Sequence, residues 1–302
     1  MRKIVIVSIA LVFAAGSVFA QEETKKERGN KDFSEILPHA GDFALGLDMA
    51  YFIKSIHGSI MQPTAVNNPT VMAPQQWQRS FGSDFFGKYF LTNKSALRAR
   101  LGIRIDNFTE REFVADDVAN LLNPLGNDPI TMEQTVDVWK QRNTMIELGI
   151  GYEYRRSLWR VQGYVGGEVF GGIVPRRDYF EYGNPMTATN QAPTTTSWWD
   201  AGGNPVNMDP LGTGSYRGLD SKTFGFTAGA AAFIGADLFI CRNVSIGAEF
   251  NLEARYMRFG EETMKTETWL LDQVYVADEK VKPFTSSFGI NPWGRLNLMI
   301  YF

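Results

Sequence analysis

The chain is poor in the residues that most catalytic and metal chemistry draws on. Its 302 residues include one cysteine, Cys241, and two histidines, His39 and His57. A single cysteine excludes an intramolecular disulfide framework and a cysteine-based zinc site. Two histidines leave little material for a metal cluster or a triad. Charged residues make up only 21%, and 30 Lys and Arg against 33 Asp and Glu give a net charge of −3. That balance argues against nucleic-acid binding, which requires a basic surface. There is no P-loop, dinucleotide fingerprint or metal-spaced cluster, so no cofactor and no metal is expected. Beyond residue 20 no apolar run of helix-spanning length remains, which excludes a membrane protein built on helices.

What is abundant points to β structure. Gly at 29 and aromatics at 13% fit many tight turns between strands. The first twenty residues are an address. Arg2 and Lys3 precede an uncharged apolar run from Ile4 to Ala15, and Val18 and Ala20 stand three and one residues before the expected cut after Ala20. This is a Sec-type signal peptide, too short to persist as a transmembrane helix. Residues 21–40 are charged and aperiodic and read as a periplasmic lead. Residues 41–302 read as one β domain.

From Asp42 the pattern takes period two, which a helix cannot produce. Phe43, Leu45, Leu47, Met49, Tyr51 and Ile53 share one face, with Asp48 and Lys54 on the other. Seven further segments repeat this grammar, beginning near residues 85, 97, 146, 159, 224, 244 and 284. Short turns are expected at 92–95, 155–157 and 241–243. Long loops are expected over about 56–80, 109–141, 174–221 and 258–283. Eight alternating segments with one-sided loop lengths predict an all-β fold: an eight-stranded antiparallel up-and-down transmembrane β-barrel with long extracellular loops. A soluble sandwich does not explain that asymmetry.

In such a barrel the apolar rows face lipid and the charged rows face the lumen. The predicted lumen network comprises Asp48, Lys88, Arg98, Arg100, Arg104, Glu147, Glu153, Arg160, Glu168, Glu249, Glu253, Arg255 and Arg295, with Asp106 and Asp237 on the same rows. An eight-stranded barrel is only wide enough to be filled by its side chains, so these charges are expected to pair into a plug. A narrow ion or small-solute path through the same charges is the alternative. Tyr51, Tyr152, Tyr154, Trp159 and Phe302 stand near strand ends, where an aromatic girdle belongs.

The closing pattern Leu296-x-Leu298-x-Ile300-Tyr301-Phe302 resembles the C-terminal aromatic signal of outer-membrane barrels. The stretch from Leu37 to Asp48 (LPHAGDFALGLD) is similar to the opening of small barrels common in Bacteroidetes. Over residues 41–302 the chain resembles barrels of OmpA/OmpX-like architecture, without the peptidoglycan-binding domain that full OmpA carries after the barrel. The resemblance implies residence in the outer membrane, contact with its lipid, and Phe302 as the signal read by the barrel-assembly machinery. It implies no enzymatic activity by itself.

Some eight-stranded barrels modify lipids with a histidine, a serine and an acid near the outer interface. His57 lies between Ser55 and Ser59, but no acid can be placed beside it, so an enzyme is the third reading. Cys241 falls in a turn and reads as an inert thiol. In the third loop Trp198 and Trp199 are adjacent. They read as part of a packed cap, with a contact for an envelope or surface protein, or for a glycan, as alternatives. The expected role is structural or interaction-based: membrane stiffening, adhesion, or service as an accessory subunit.

Overall fold

A computed structural model describes residues 36–49, 77–121, 131–200, 203–209 and 211–302, with backbone alone over 77–82. The strands are β1 (Phe43–Asp48), β2 (Trp77–Thr92), β3 (Ser95–Ala115), β4 (Gln134–Leu158), β5 (Val161–Glu181), β6 (Tyr216–Cys241), β7 (Val244–Phe259), β8 (Glu262–Leu270), β9 (Gln273–Lys282) and β10 (Thr285–Tyr301). Strands β1 to β7 pair in chain order, β7 pairs β10, and β10 returns to β1. Ala44 lies opposite Tyr301 and Asp48 opposite Asn297 across that seam. The result is a closed ring of eight antiparallel strands with no free edge at its waist, the arrangement that leaves no backbone group unpaired in hydrocarbon.

Alternation sets the two faces. Leu148 and Ile150 on β4 are 66% and 68% exposed, whereas Glu147 between Ile146 and Leu148 is 1% exposed. Leu97, Val165, Val169, Ile246 and Leu296 point outward in the same way. Residues 144 to 154 of β4 cover about 33 Å along the strand, or about 25 Å along the axis at a tilt of about 40°. That matches the apolar band of a membrane barrel. Bulky inner side chains require small neighbours. A Cβ on Gly149 would stand 2.7 Å from Glu168 Oε1, and one on Gly102 would stand 2.8 Å from Asp84 Oδ1.

Several sequence-based boundaries need correction. Strand β4 continues through Leu158 and turns at Trp159-Arg160, so the turn is not at 155–157. The loops over 109–141 and 174–221 are shorter than expected, since β3 runs to Ala115, β4 begins at Gln134, β5 runs to Glu181 and β6 begins at Tyr216; between β5 and β6 a long connection over 182–215 remains. The expected loop over 258–283 holds the β8–β9 hairpin, which extends the sheet from the far end of β6 and stays outside the ring. Its turn places Leu271 and Asp272 at φ 51° and 59°. That twist usually selects Gly or Asn, which is why Leu-Asp gave no hairpin signal.

Above the band the two faces exchange character. On β3, β4 and β5 the outward positions become Asn107, Arg142 and Arg177, held in register across the three strands. Inward positions become the rings of Phe108, Trp139 and Phe180. The same strands are apolar outside and charged inside at the waist, then charged outside and aromatic inside beyond it.

Candidate functional site

The inner face of the ring holds the charges. Lys88, Arg98, Arg100, Arg104, Arg155, Arg255 and Arg295 share it with Asp48, Asp84, Glu147, Glu153, Glu168, Asp237, Glu249 and Glu253. Among the described residues these are seven cations against eight anions, with Asp106 further up the same inward row of β3. Glu249 of β7 is the hub. Its carboxylate accepts from Arg98 Nη1 at 2.7 Å and Nη2 at 3.2 Å, from Arg295 Nη2 at 2.6 Å, and from Tyr164 Oη at 3.1 Å. These donors come from the adjacent strand β10, where Arg295 lies directly opposite Glu249, and from β3 and β5, which do not pair with β7, so one carboxylate ties the wall to itself across the lumen. Arg98 also reaches Glu168 at 3.4 Å, and Arg100 donates to Glu168 at 2.5 Å.

Two flanking clusters continue the network. Toward the mouth, Arg255 bonds Glu147 and donates to Glu253 at 2.5 Å. Arg104, partly exposed, lies 3.7 Å from Glu147 and 3.9 Å from Asp84. Toward the short turns, Lys88 stands 3.2 Å from Glu153, and Arg155 binds both Glu153 and Asp237. Aromatic faces separate the layers: Arg98 lies 4.4 Å from the Phe233 centroid and Arg295 lies 4.4 Å from that of Phe86. The turn end is sealed by Ala44, Phe86, Phe90, Ala96, Phe239, Met299 and Tyr301, with Ile36 and Leu37 packed beneath. An isolated charge in this interior costs several kcal/mol, so mutual pairing is what makes it tenable.

Most predicted lumen residues lie on this face. Asp48 is buried there opposite Asn297. Arg160 is a correction: it is exposed in the β4–β5 turn and donates to the Ile240 carbonyl. Its place in the network belongs to Arg155, which the misplaced turn had hidden. Asp84, which faces Arg100, Arg104 and Arg295, carries no local sequence signal, because Phe81-Gly-Ser-Asp84 lacks obvious alternation. Both follow from extending the inward phase of their strands, at even numbers on β2 and odd numbers on β4. Phe302 is exposed at the turn end, where its amide donates to the Phe43 carbonyl at 2.8 Å. Ser55, His57 and Ser59, like Tyr51 and Ile53, lie outside the described residues. Cys241 is exposed.

The mouth is built differently. Trp198 is 3% exposed and packs with Trp139, Phe180 and Met264 of β8, while neighbouring Trp199 is half exposed. The two tryptophans therefore separate, one into a cap and one onto the surface. Buried Asp and Asn side chains fasten the 182–215 segment that carries them. Asp137 accepts from the amides of Gly183 at 2.8 Å and Thr196 at 2.7 Å. Asn184 donates to the carbonyls of Ala115 and Thr194. Asp209 accepts from Thr195 and Gly214 at 2.6 Å each. Below this cap lies a cavity of about 370 Å³ lined by Asp106, Asn107, Phe108, Trp139, Gln141 and Asn143. Among the described residues there is no cluster of acidic, histidine or cysteine side chains that would hold a metal ion.

No protein-family model and no curated protein matches the chain. Among solved structures it is similar to the outer membrane protein OprG from Pseudomonas aeruginosa. That similarity has 7% identity and a TM-score of 0.34, covering 88% of this chain and 98% of that one.

Proposed function

We propose that the chain is an outer-membrane barrel acting as a closed scaffold, with a structural or interaction role and no catalytic one. The observation that carries this reading is the Glu249 hub. Four hydrogen bonds from three strands converge on one buried carboxylate at the waist, where a conducting path would have to pass. In this reading the short turns face the periplasm, and the tall β3–β6 wall with its cap faces outward. The signal peptide is removed after Ala20, and Phe302 guides assembly. Adhesion or membership of an envelope complex would use the outer extension, where Trp199 and the apolar hairpin tip at Leu270 and Leu271 are exposed.

Planar-bilayer recording of the refolded full chain tests the reading. The closed scaffold gives no stepwise conductance at neutral pH. Steady unitary steps from native protein would replace it with the narrow channel.

A further inference from the structure

The change of face on β3, β4 and β5 leaves an arrangement that the closed-scaffold role does not use. Arg142 and Arg177 are exposed, point outward, and lie directly opposite each other across the β4–β5 pair. Lys222 lies opposite Arg177 on β6 and is also exposed. Like charges directly opposite on neighbouring strands repel. The neighbouring carboxylate, Asp220, is shared between Arg177 at 2.7 Å and Lys222 at 2.8 Å. Among the described residues Arg142 has no carboxylate within ion-pair distance. A surface groove of about 580 Å³ runs along this row, with Asn107, Thr109, Lys140, Arg142, Arg177 and Tyr179 in its lining.

Position identifies the occupant. Directly toward the waist from Arg142 on the same face come Thr144, Ile146 and Leu148. From Arg177 come Pro175 and Ile173, with Phe224 and Phe226 beside them on β6. Three cations thus border the top of the apolar band. A free anion would use only the cations. A lipid whose phosphorylated headgroup lies against Arg142, Arg177 and Lys222 would also lay its acyl chains over Ile146, Ile173 and Phe226. Guanidinium groups suit phosphate through paired N–H donors.

We infer that Arg142, Arg177 and Lys222 form a binding site for the phosphorylated headgroup of an outer-leaflet lipid. The site rests on the membrane placement proposed above, which fractionation of expressing cells into outer membrane and soluble parts tests separately; folding itself is read on a gel, where the unheated folded barrel runs ahead of the boiled chain. The experiment measures binding of the detergent-solubilised full chain to three probes: a phosphorylated lipid A, the same lipid with its phosphates removed, and inorganic phosphate. The phosphorylated lipid should bind at least about tenfold more tightly than the dephosphorylated one. Equimolar inorganic phosphate should not displace it. Arg142→Gln with Arg177→Gln, in protein that still shows the folded band, should weaken binding by about tenfold or more. Arg111→Gln, farther out on β3, should leave it unchanged. Equal binding of the two lipids overturns the proposal, and so does native affinity in the folded double variant. Displacement by equimolar phosphate overturns the lipid as occupant.

Discussion

At the waist and at the mouth the same strands solve opposite problems. The waist wall of β4 presents Ile146, Leu148 and Ile150 outward, and the charges turn inward to Glu147, Glu153 and Arg155. Sixteen residues before Arg155, Trp139 turns inward, and the neighbouring Lys140 and Arg142 face out. In the proposed membrane placement, what differs is the solvent outside the wall. Where the outside is apolar, the narrow interior takes the polar side chains and must pair them all. Where the outside is aqueous, the interior reverts to an ordinary aromatic core of Phe108, Trp139, Phe180 and Trp198. The contrast makes different demands: each waist charge depends on its partners, whereas each mouth residue depends on shape and on backbone hydrogen bonds.

The largest effect should come from breaking the waist hub. Glu249→Ala leaves Arg98 and Arg295 facing each other without their shared carboxylate. It should cost about 3–5 kcal/mol, read from the urea unfolding midpoint in lipid vesicles. A loss below about 1 kcal/mol would mean the lumen is well hydrated rather than paired.

Next should come the cap. Trp198→Ala should cost about 3 kcal/mol, at the low end of tryptophan losses in cores. The loss should be local: hydrogen exchange should quicken through 182–215 while the barrel's unfolding midpoint holds. A shift of that midpoint would couple the two regions, contrary to the comparison.

Asp137 sharpens the contrast by pH. Burial raises its carboxyl above the ordinary value, and hydrogen bonds from Gly183 and Thr196 only partly oppose this. A carboxyl raised by folding gives stability that is full below the ordinary value and lost as pH climbs through the raised one. Asp137→Asn should therefore flatten the pH dependence of exchange protection in the 182–215 segment. It should also cost about 1–2 kcal/mol locally, because the two N–H groups bond separate carboxylate oxygens and the amide keeps only one accepting oxygen, so one of them loses its acceptor. The smallest effect belongs to the exposed pair of Lys140 and Glu181 at 2.7 Å. Lys140→Ala should change stability by less than about 1 kcal/mol.

This contrast also explains what the sequence made legible. Period two is plain wherever one face must be apolar, so the ring, its order and most of the lumen row could be read directly. Beyond Arg142 the outward rows mix polar Lys140, Thr109 and Arg111 with Val138 and Phe113, and the alternation that marks a lipid-facing strand disappears. Residues 109–115 and 134–141 therefore read as loop in the sequence although they are strand. The surviving signal was an inverted one, with Phe108, Trp139 and Phe180 on the rows that carry charges lower down. The 182–215 segment is rich in Thr, Asn, Gly and Pro, and its order comes from single side chains such as Asp137, Asn184 and Asp209 capturing distant backbone groups. No local pattern announces such bonds. Arg155 is hidden because Arg155-Arg156-Ser157 looks like a polar connection, whereas β4 runs four residues past Tyr154, to Leu158.

The exchange of faces along β4 is tested most directly by moving a single cysteine from residue 138 to 154 in a Cys241→Ser background. Each position carries a nitroxide in the folded chain in lipid vesicles, and collisions are measured with oxygen, which favours lipid, and with a water-soluble nickel chelate. Positions 146, 148 and 150 should collide mainly with oxygen, and positions 140 and 142 with the chelate. Positions 139 and 147 should be shielded from both. Oxygen-dominated collisions at 140 and 142, or lipid exposure at the odd-numbered positions, would contradict the account.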